Sequence, residues 1–425
     1  MKLSTSTIEA IFLIISLTFY LNFILFFTNI FSTDIVQENA EAAAAGKTIN
    51  QFIGVLLLLC SIFLIYKKSN LNFTTLIRQA YPWIILILFF ILGLFWSDAP
   101  QISFRRIVAF STLVLVCYVL AQIYSPSSIL TCVYQLIVAS VILGLCWTII
   151  QGKALSFGLE DRSDGFKGIF SDKNGAARLY AYGLIIGVGL KQYRTKIQVL
   201  SLCLLILALS FSQSASAIIL VTLGCGLVLV FRFSKSKKKD TNLLQFILTI
   251  IFILVGAYLV MILYTSILEL LGRDSNLTDR SIIWSLIAPY IDDRLYLGYG
   301  FGTFWASAAS AAFIERWGFI SNAHSGYFEV MLHGGLVGLS IFFILIFILL
   351  KRISWVYINK PSQHLNELML ALIVVQLVGN YVAYIIFNHN SADMFVFSLC
   401  FFTISKFYVD QKKEYKNKRN LSEKG

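Results

Sequence analysis

Long apolar runs separated by short polar segments dominate the chain. A helix needs ~20 largely apolar residues to cross a membrane, and twelve runs approach or exceed that length. The first run is far longer than the ~7–15 apolar residues of a signal peptide, so we interpret it as a span too. The pattern predicts an all-α integral membrane protein, one polytopic domain over residues 1–425, whose twelve spans lie at about 8–31, 49–66, 80–97, 105–124, 128–150, 174–190, 197–212, 216–232, 243–268, 326–350, 365–387 and 392–408.

The composition agrees with this interpretation. Hydrophobic residues make up 58% of the chain and charged residues 13%, against ~25% charged residues in soluble domains. These values exclude a soluble enzyme, a secreted disulfide scaffold and a disordered protein. The net charge of +12 could indicate nucleic-acid binding, but the basic residues stand between apolar runs, where they orient a protein in the membrane. We therefore expect membrane lipids as partners and no nucleic acid.

The distribution of basic residues predicts the orientation. If the N-terminus lies inside, 22 of the 34 lysines and arginines fall on the inner side, as the positive-inside rule requires. Both termini are then cytoplasmic, and residues 409–425 form a basic cytoplasmic tail. The seven cysteines all fall in predicted spans, and neither they nor the four histidines show a metal-binding spacing. We expect no metal and no other cofactor.

Three polar segments lie on the outer side: FWSDAPQISFRR, which joins spans three and four, residues 151–173, which lead into span six as DGFKGIFSDKNGAARLYAYG, and a loop at about 269–325. Loops as long as the third are usually functional. Within it, Ile283, Ile287 and Tyr290 recur at helical spacing and predict a helix along the outer surface.

Basic residues in these outer segments are candidates for anion binding. The guanidinium group of arginine binds carboxylate or phosphate through two parallel hydrogen bonds, and a lipid-linked diphosphate would lie at the same depth. Arg178 lies inside a predicted span, where an arginine normally faces a cavity and has a partner. Arg280 would lie in the first turn of the surface helix, where free N–H groups favour an anion. The alternative for each arginine is an ion pair with an aspartate of the same loops.

Two histidines stand close together in the segment SNAHSGYFEVMLHGGLVGL. His324 lies where the large outer loop meets the tenth span, and histidine is suited to proton transfer near neutral pH. The alternative is a polar interface residue bonded to a carbonyl group. His333 follows nine residues later, which places it half a turn away on an ideal helix. We therefore expect His333 to be a packing residue.

Five motifs in order, WSDAPQISFRR, GIFSDKNGAAR, LGRDSNLTDRSIIW, LGYGFGTFW and NAHSGYFEVMLHGGLVGL, resemble the bacterial O-antigen ligase/polymerase superfamily. The string LGRDSNLTDR is most similar to exopolysaccharide-production (ExoQ-type) proteins. The resemblance implies a GT-C-like membrane glycosyltransferase in the bacterial inner membrane. It implies an active site at the periplasmic face, with the long periplasmic loop between spans nine and ten, and an undecaprenyl-diphosphate-linked oligosaccharide as donor.

The resemblance also implies residue roles. His324 matches a general base on the acceptor hydroxyl, and Arg280 matches an arginine that holds the diphosphate leaving group. Further donor-binding candidates are Arg105, Arg106, Lys173, Arg178 and Arg273, and supporting candidates are Asn322, Tyr327, Glu329 and Asn174.

Three positions depart from the family pattern. Ser325 stands where asparagine is usual, and Asp172 stands where histidine or proline is common. Ala215 replaces a frequent basic residue, which removes one expected phosphate contact and leaves its share to Arg178 or Lys173.

Polymerase and ligase differ in the acceptor glycan. A polymerase transfers the growing chain to a new lipid-linked repeat unit and would have a chain-length regulator as a partner, whereas a ligase transfers the chain to lipid A-core. The LGRDSNLTDR string favours a polymerase. A transporter or flippase is a third hypothesis, but no two-fold repeat is visible and the long loop is outer and late.

Overall fold

The structure is a computed structural model that describes residues 5–24, 26–27, 48–68, 73–151, 165–190, 195–233, 280–318, 320, 322–359 and 364–422. These residues form helices and connecting loops and contain no β-strand. The α-helices are α1 (Thr5–Tyr20), α2 (Thr48–Lys67), α3 (Phe73–Leu92), α4 (Pro100–Ile123), α5 (Pro126–Ile150), α6 (Lys173–Gly189), α7 (Lys196–Ser212), α8 (Ala215–Phe233), α9 (Arg280–Asp293), α10 (Ala311–Trp317), α11 (Gly326–Asn359), α12 (His364–Val382) and α13 (Ala392–Ser422).

Eight of these helices are long and apolar enough to cross a membrane: α2, α3, α4, α5, α8, α11, α12 and α13. Helices α1 and α7 are apolar but shorter, with 16 and 17 residues. Eleven of the twelve predicted spans overlap a described helix, and the twelfth, 243–268, lies outside the described residues. The chain is an all-α multi-pass membrane protein, as the sequence predicts.

Local sequence explains where several helices begin. Proline occupies the first turn of α4 and α5, at Pro100 and Pro126, where its missing N–H has no helical partner to lose. Ser125 caps α5 by accepting a hydrogen bond from the Ser128 amide at 3.1 Å. Asp172 caps α6 through both carboxylate oxygens, which accept from the amides of Asn174 and Gly175 at 3.1 and 2.6 Å.

The helices divide into inner and lipid-facing ones. Helix α6 is buried along most of its length and contacts α5, α7, α8 and α12, and α13 packs along α4. Trp83 of α3 is fully buried within an aromatic cluster that includes Phe110 and Phe401. Helix α2 instead exposes large apolar side chains such as Phe52 and Leu59, as expected of a helix that faces lipid.

A buried arginine bonds a backbone carbonyl that a proline inside α3 leaves without a helical donor. Pro82 has no N–H to bond the carbonyl of Arg78, four residues earlier. Arg352 of α11 donates to the carbonyls of Arg78 and Gln79 at 3.1 and 2.7 Å, and to Ser405 Oγ at 2.6 Å. The guanidinium also lies 5.1 Å from the centre of the Tyr81 ring. Carbonyl groups and an aromatic ring thus accommodate the charge of Arg352.

The described residues between 280 and 325 pack against the start of α11 and share a small core with it. Helix α9 buries Ile287 and Ile291, and these side chains pack in one cluster with Phe304, Trp305 and Phe313.

Helix α11 is broken at Gly335, whose φ is 58° and ψ −153°. The carbonyls of Leu332 and His333 accept from the amides of Tyr299 and Gly300 at 2.8 and 3.2 Å. The amides of Leu336 and Val337 donate to the carbonyls of Leu295 and Tyr296 at 2.8 and 3.2 Å. Residues 295–300, the insert segment, therefore complete the backbone hydrogen bonding of helix residues that lie 33 to 41 positions further along the chain. A Cβ at Gly335 would lie 2.3 Å from the Tyr296 carbonyl carbon, so only glycine fits.

Candidate functional site

His324 lies in a sharp bend immediately before α11. Its φ is 50°, a left-handed conformation that is uncommon for a residue other than glycine. On one side, the Ala323 carbonyl accepts from Trp284 Nε1 of α9 at 3.0 Å. On the other side, the Gly326 amide donates to the Ala383 carbonyl at 3.0 Å. The His324 amide itself donates to Asn322 Oδ1 at 2.9 Å, so Asn322 is part of the support of the bend.

A buried carboxylate completes this support. Glu329, 1% exposed, lies on the first turn of α11. Its Oε1 accepts from the Ala323 amide at 2.5 Å and from Trp305 Nε1 at 2.8 Å. Its Oε2 lies 3.3 Å from His333 Nε2. Glu329 thus connects the bend at His324 with the loop core and with His333.

Four charged groups act on His324: Arg280 of α9, Arg178 of α6, Asp172 and Glu329. Burial lowers the pKa of His324, and the positive charge of Arg280 lowers it further, while the two carboxylates act in the opposite direction. The imidazole is therefore neutral near pH 7, which is the form that accepts a proton.

Arg178 is held by a carboxylate from a distant part of the chain. Its Nε and Nη2 donate to Asp393 of α13, with a shortest distance of 2.9 Å. Tyr182 Oη donates to the same carboxylate at 2.8 Å, and Gln376 Nε2 donates to the Asp393 carbonyl at 2.7 Å. The sequence predicts that Arg178 has a partner, and it names the aspartates of the outer loops as alternative partners for the arginines. In the structure the partner is Asp393 of α13.

The start of α6 contacts the neighbouring loops. Asn174 Oδ1 accepts from Ser214 Oγ at 3.1 Å, which joins α6 to the turn between α7 and α8. The Phe166 amide donates to the Phe211 carbonyl at 2.9 Å, and Gly165 approaches the side chain of Lys173. Asp172 stands where histidine or proline is common in the family, and its capping of α6 gives a structural reason for this departure.

Arg106 and His389 form a second group of polar residues. Arg106 donates through Nη1 to the Gly302 carbonyl, and its charge acts on His389. Burial lowers the pKa of His389 to about 3, with further contributions from Arg106 and His333. Arg105, one residue earlier on α4, is exposed.

The other sequence-predicted residues take varied positions. Tyr327 Oη donates to the Leu377 carbonyl at 3.0 Å, which braces α11 against α12. Arg273 lies outside the described residues. The described part of the chain holds no cluster of three or more histidine, cysteine, aspartate or glutamate side chains that could bind a metal ion.

Sequence reasoning missed Asp393, which holds Arg178, although a signal was present. An aspartate in the apolar segment SADMFVFSLCFF is costly unless it has a partner, so its position alone marks it as a candidate.

Residues 200–343 match the family model described as O-antigen ligase. This match supports the O-antigen ligase/polymerase superfamily. The O-antigen ligase match covers most of α7, then α8 to α10 and the first half of α11, and it includes Arg280, His324 and Glu329. No curated protein is significantly similar to the chain. The O-antigen ligase match and the fold together support a multi-pass membrane enzyme that handles lipid-linked glycans.

Proposed function

We propose that the protein polymerises undecaprenyl-diphosphate-linked oligosaccharide repeat units at the periplasmic face of the bacterial inner membrane. The observation that carries this proposal is the placement of His324. Its neutral imidazole lies in a fixed bend, in the electrostatic range of Arg280 and Arg178, within the part of the chain that matches the O-antigen ligase family.

The proposed reaction is a glycosyl transfer with His324 as general base. His324 takes the proton from the acceptor hydroxyl, and the hydroxyl oxygen forms a bond to the anomeric carbon of the donor sugar. The bond between that carbon and the diphosphate oxygen breaks, and its electron pair remains on the diphosphate. Positioned cations stabilise this developing charge, and a base typically contributes ~10²–10⁴-fold to such a rate.

The donor diphosphate would bind on the His324 side of Glu329. Arg280, Arg178 and Lys173 are the candidates there, and Arg178 is already fixed by its pair with Asp393. The charge of Arg106 acts on His389, whereas that of Arg280 acts on His324, so we expect the two arginines to make separate contacts with a diphosphate. The exposed Arg105 is the weaker candidate of the adjacent pair. Arg273 remains a proposed donor-binding residue on sequence grounds alone.

A ligase that transfers the glycan to lipid A-core is the second candidate function, favoured by the description of the matching family. The acceptor distinguishes the two, so the test is deletion of the gene followed by analysis of the glycans. Loss of a polymerase leaves single repeat units attached to lipid A-core, and loss of a ligase leaves long chains on the lipid carrier. Complete loss of outward repeat units would instead indicate a flippase.

The proposed orientation, with both termini cytoplasmic, has its own test. Two variants each carry one cysteine in a background without native cysteines. One replaces the exposed Glu315 of the loop, and the other replaces the exposed Lys351 near the opposite end of α11. An impermeant thiol reagent added to cells with a permeabilised outer membrane should label the cysteine at 315 and not the one at 351. Labelling at 351 alone would invert the orientation and remove the site from the periplasm.

A further inference from the structure

The bend at His324 has a backbone conformation that the residue itself does not favour. A non-glycine residue at φ 50° persists only where its surroundings hold it. His324 projects from this bend, so the conformation of residues 323–325 determines where the imidazole ring lies. The groups that hold the bend therefore determine whether the ring can reach an acceptor hydroxyl.

Glu329 is the only charged side chain among the hydrogen-bond partners described for Ala323, His324 and Gly326. One of its oxygens accepts from both the Ala323 amide and Trp305 Nε1. Hydrogen bonds to an ionised acceptor are roughly twice as strong as neutral ones, and this one is shielded from water. Trp305 in turn packs in the core of the loop against Phe304 and Phe313, so the carboxylate connects the bend to that core.

We propose that Glu329 is a positioning residue that sets the place of the His324 imidazole, acting through the Ala323 amide and braced by Trp305. The inference rests on the proposed function, because it assumes that His324 is the base. Glu329 takes no part in the proton transfer itself. It acts through the backbone of the bend and through its negative charge.

The charge gives a signature that a purely structural role lacks. His324 faces Arg280 from α9, Arg178 from α6, Asp172 from the start of α6, and Glu329 from α11. The negative charge of Glu329 raises the pKa of His324 against the other influences. A neutral residue at this position should therefore move the acidic limb of the pH–rate profile to lower pH.

The test measures turnover of full-length purified protein on a lipid-diphosphate-linked oligosaccharide, from pH 5 to pH 9, with folding checked by thermal unfolding in detergent. Glu329→Ala should lower kcat at least tenfold with little change in KM for the donor, since the base is misplaced and the diphosphate site is intact. Glu329→Gln keeps an acceptor oxygen for Ala323 and Trp305. It should retain more activity than the alanine variant and should shift the acidic limb to lower pH.

Trp305→Phe removes the bracing donor and keeps an aromatic ring in the core, and it should lower kcat severalfold without moving the pH limb. Glu315→Gln is the matched control, because it removes an exposed carboxylate of the same loop, and it should match the unaltered protein in kcat and pH profile. If Glu329→Ala does not fold, the glutamine and phenylalanine variants decide. Normal kcat in both of them, with an unmoved acidic limb in the glutamine variant, would overturn the positioning role.

A His324→Ala variant in the same assay separates this inference from the proposed function. If His324→Ala is inactive and the Glu329 and Trp305 variants are normal, the positioning role alone is wrong. If His324→Ala turns over normally, the proposed function of the site is wrong.

Discussion

Two histidines nine residues apart are both influenced by Glu329, but only His333 contacts its carboxylate. His324 lies half-buried in the bend before α11, among Arg280, Arg178, Asp172 and Glu329. His333 is 3% exposed and is enclosed by the rings of Phe301 and Tyr384, with its Nε2 3.3 Å from Glu329. The two rings have the same intrinsic chemistry. Access and surrounding charge therefore determine which of them can act on a substrate.

Measurements of turnover and of thermal stability can distinguish a catalytic histidine from a packing histidine. A residue that acts on substrate and lies at the boundary between a loop and a helix contributes to turnover but contributes little to folding. A residue enclosed by aromatic rings contributes to folding, and its loss affects turnover only through its neighbours. Substitutions of the two histidines should therefore have opposite patterns of effect on activity and stability.

The largest effect should come from His324→Ala. Removal of the proposed base should lower kcat at least ~10²-fold, while the thermal unfolding temperature changes little because the side chain packs only partly. The measurement is turnover of lipid-diphosphate-linked oligosaccharide by purified protein. Substantial turnover by this variant, together with an inactive His333→Ala protein, would reverse the assignment of the two residues.

Arg280→Ala should follow, with a loss of one to two orders of magnitude, because a cation beside the leaving group is removed from a water-poor site. Arg280→Lys should restore little of the activity, since a point charge does not replace two parallel hydrogen bonds. Polymer formation in cells, normalised to the amount of membrane-inserted protein, provides the measurement. Normal polymer from the alanine variant would remove Arg280 from the diphosphate site.

His333→Ala should show the converse pattern. Loss of an enclosed ring leaves a cavity and should destabilise the protein by about 2–4 kcal/mol, seen as a lower unfolding temperature. Turnover per folded molecule should remain within about tenfold of the unaltered protein, because the Trp305 and Ala323 bonds to Glu329 do not involve His333. An unchanged unfolding temperature combined with lost turnover would show that enclosure does not exclude a catalytic role here.

The smallest effect concerns pH. Since burial and Arg280 lower the pKa of His324, the acidic limb of kcat should lie below pH 6.5, the ordinary range of histidine. The base is then already deprotonated at neutral pH, and kcat should be flat from about pH 7 upward until another group titrates. Turnover that still rises steeply between pH 7 and 8 would contradict a neutral His324.

The sequence predicted the spans well because their signal is local. Eight of the described helices can be recognised from their length and the hydropathy of consecutive residues, without any knowledge of how distant segments pack. The family resemblance placed His324 and Arg280 in one site, and in the structure the charge of Arg280 acts on His324. The partner of Arg178 was not found, since Asp393 lies 215 residues away and only the packing of α6 against α13 brings the two together.

The separation of Arg105 from Arg106 illustrates the same limit. Adjacent residues on a helix point in directions about 100° apart, so only one of them can face the Gly302 carbonyl. The sequence offers no reason to choose between them until the position of Gly302 is known.

The break at Gly335 bears on how parts of this protein can be exchanged. Four backbone groups of α11 are bonded to the insert segment, and hydrocarbon offers nothing to replace them, at a cost of several kcal/mol for each unsatisfied group. A chimera that takes the insert segment from a relative, but keeps its own α11, would have to re-form these four bonds with a different sequence. The insert segment and α11 should therefore be exchanged together, as one unit.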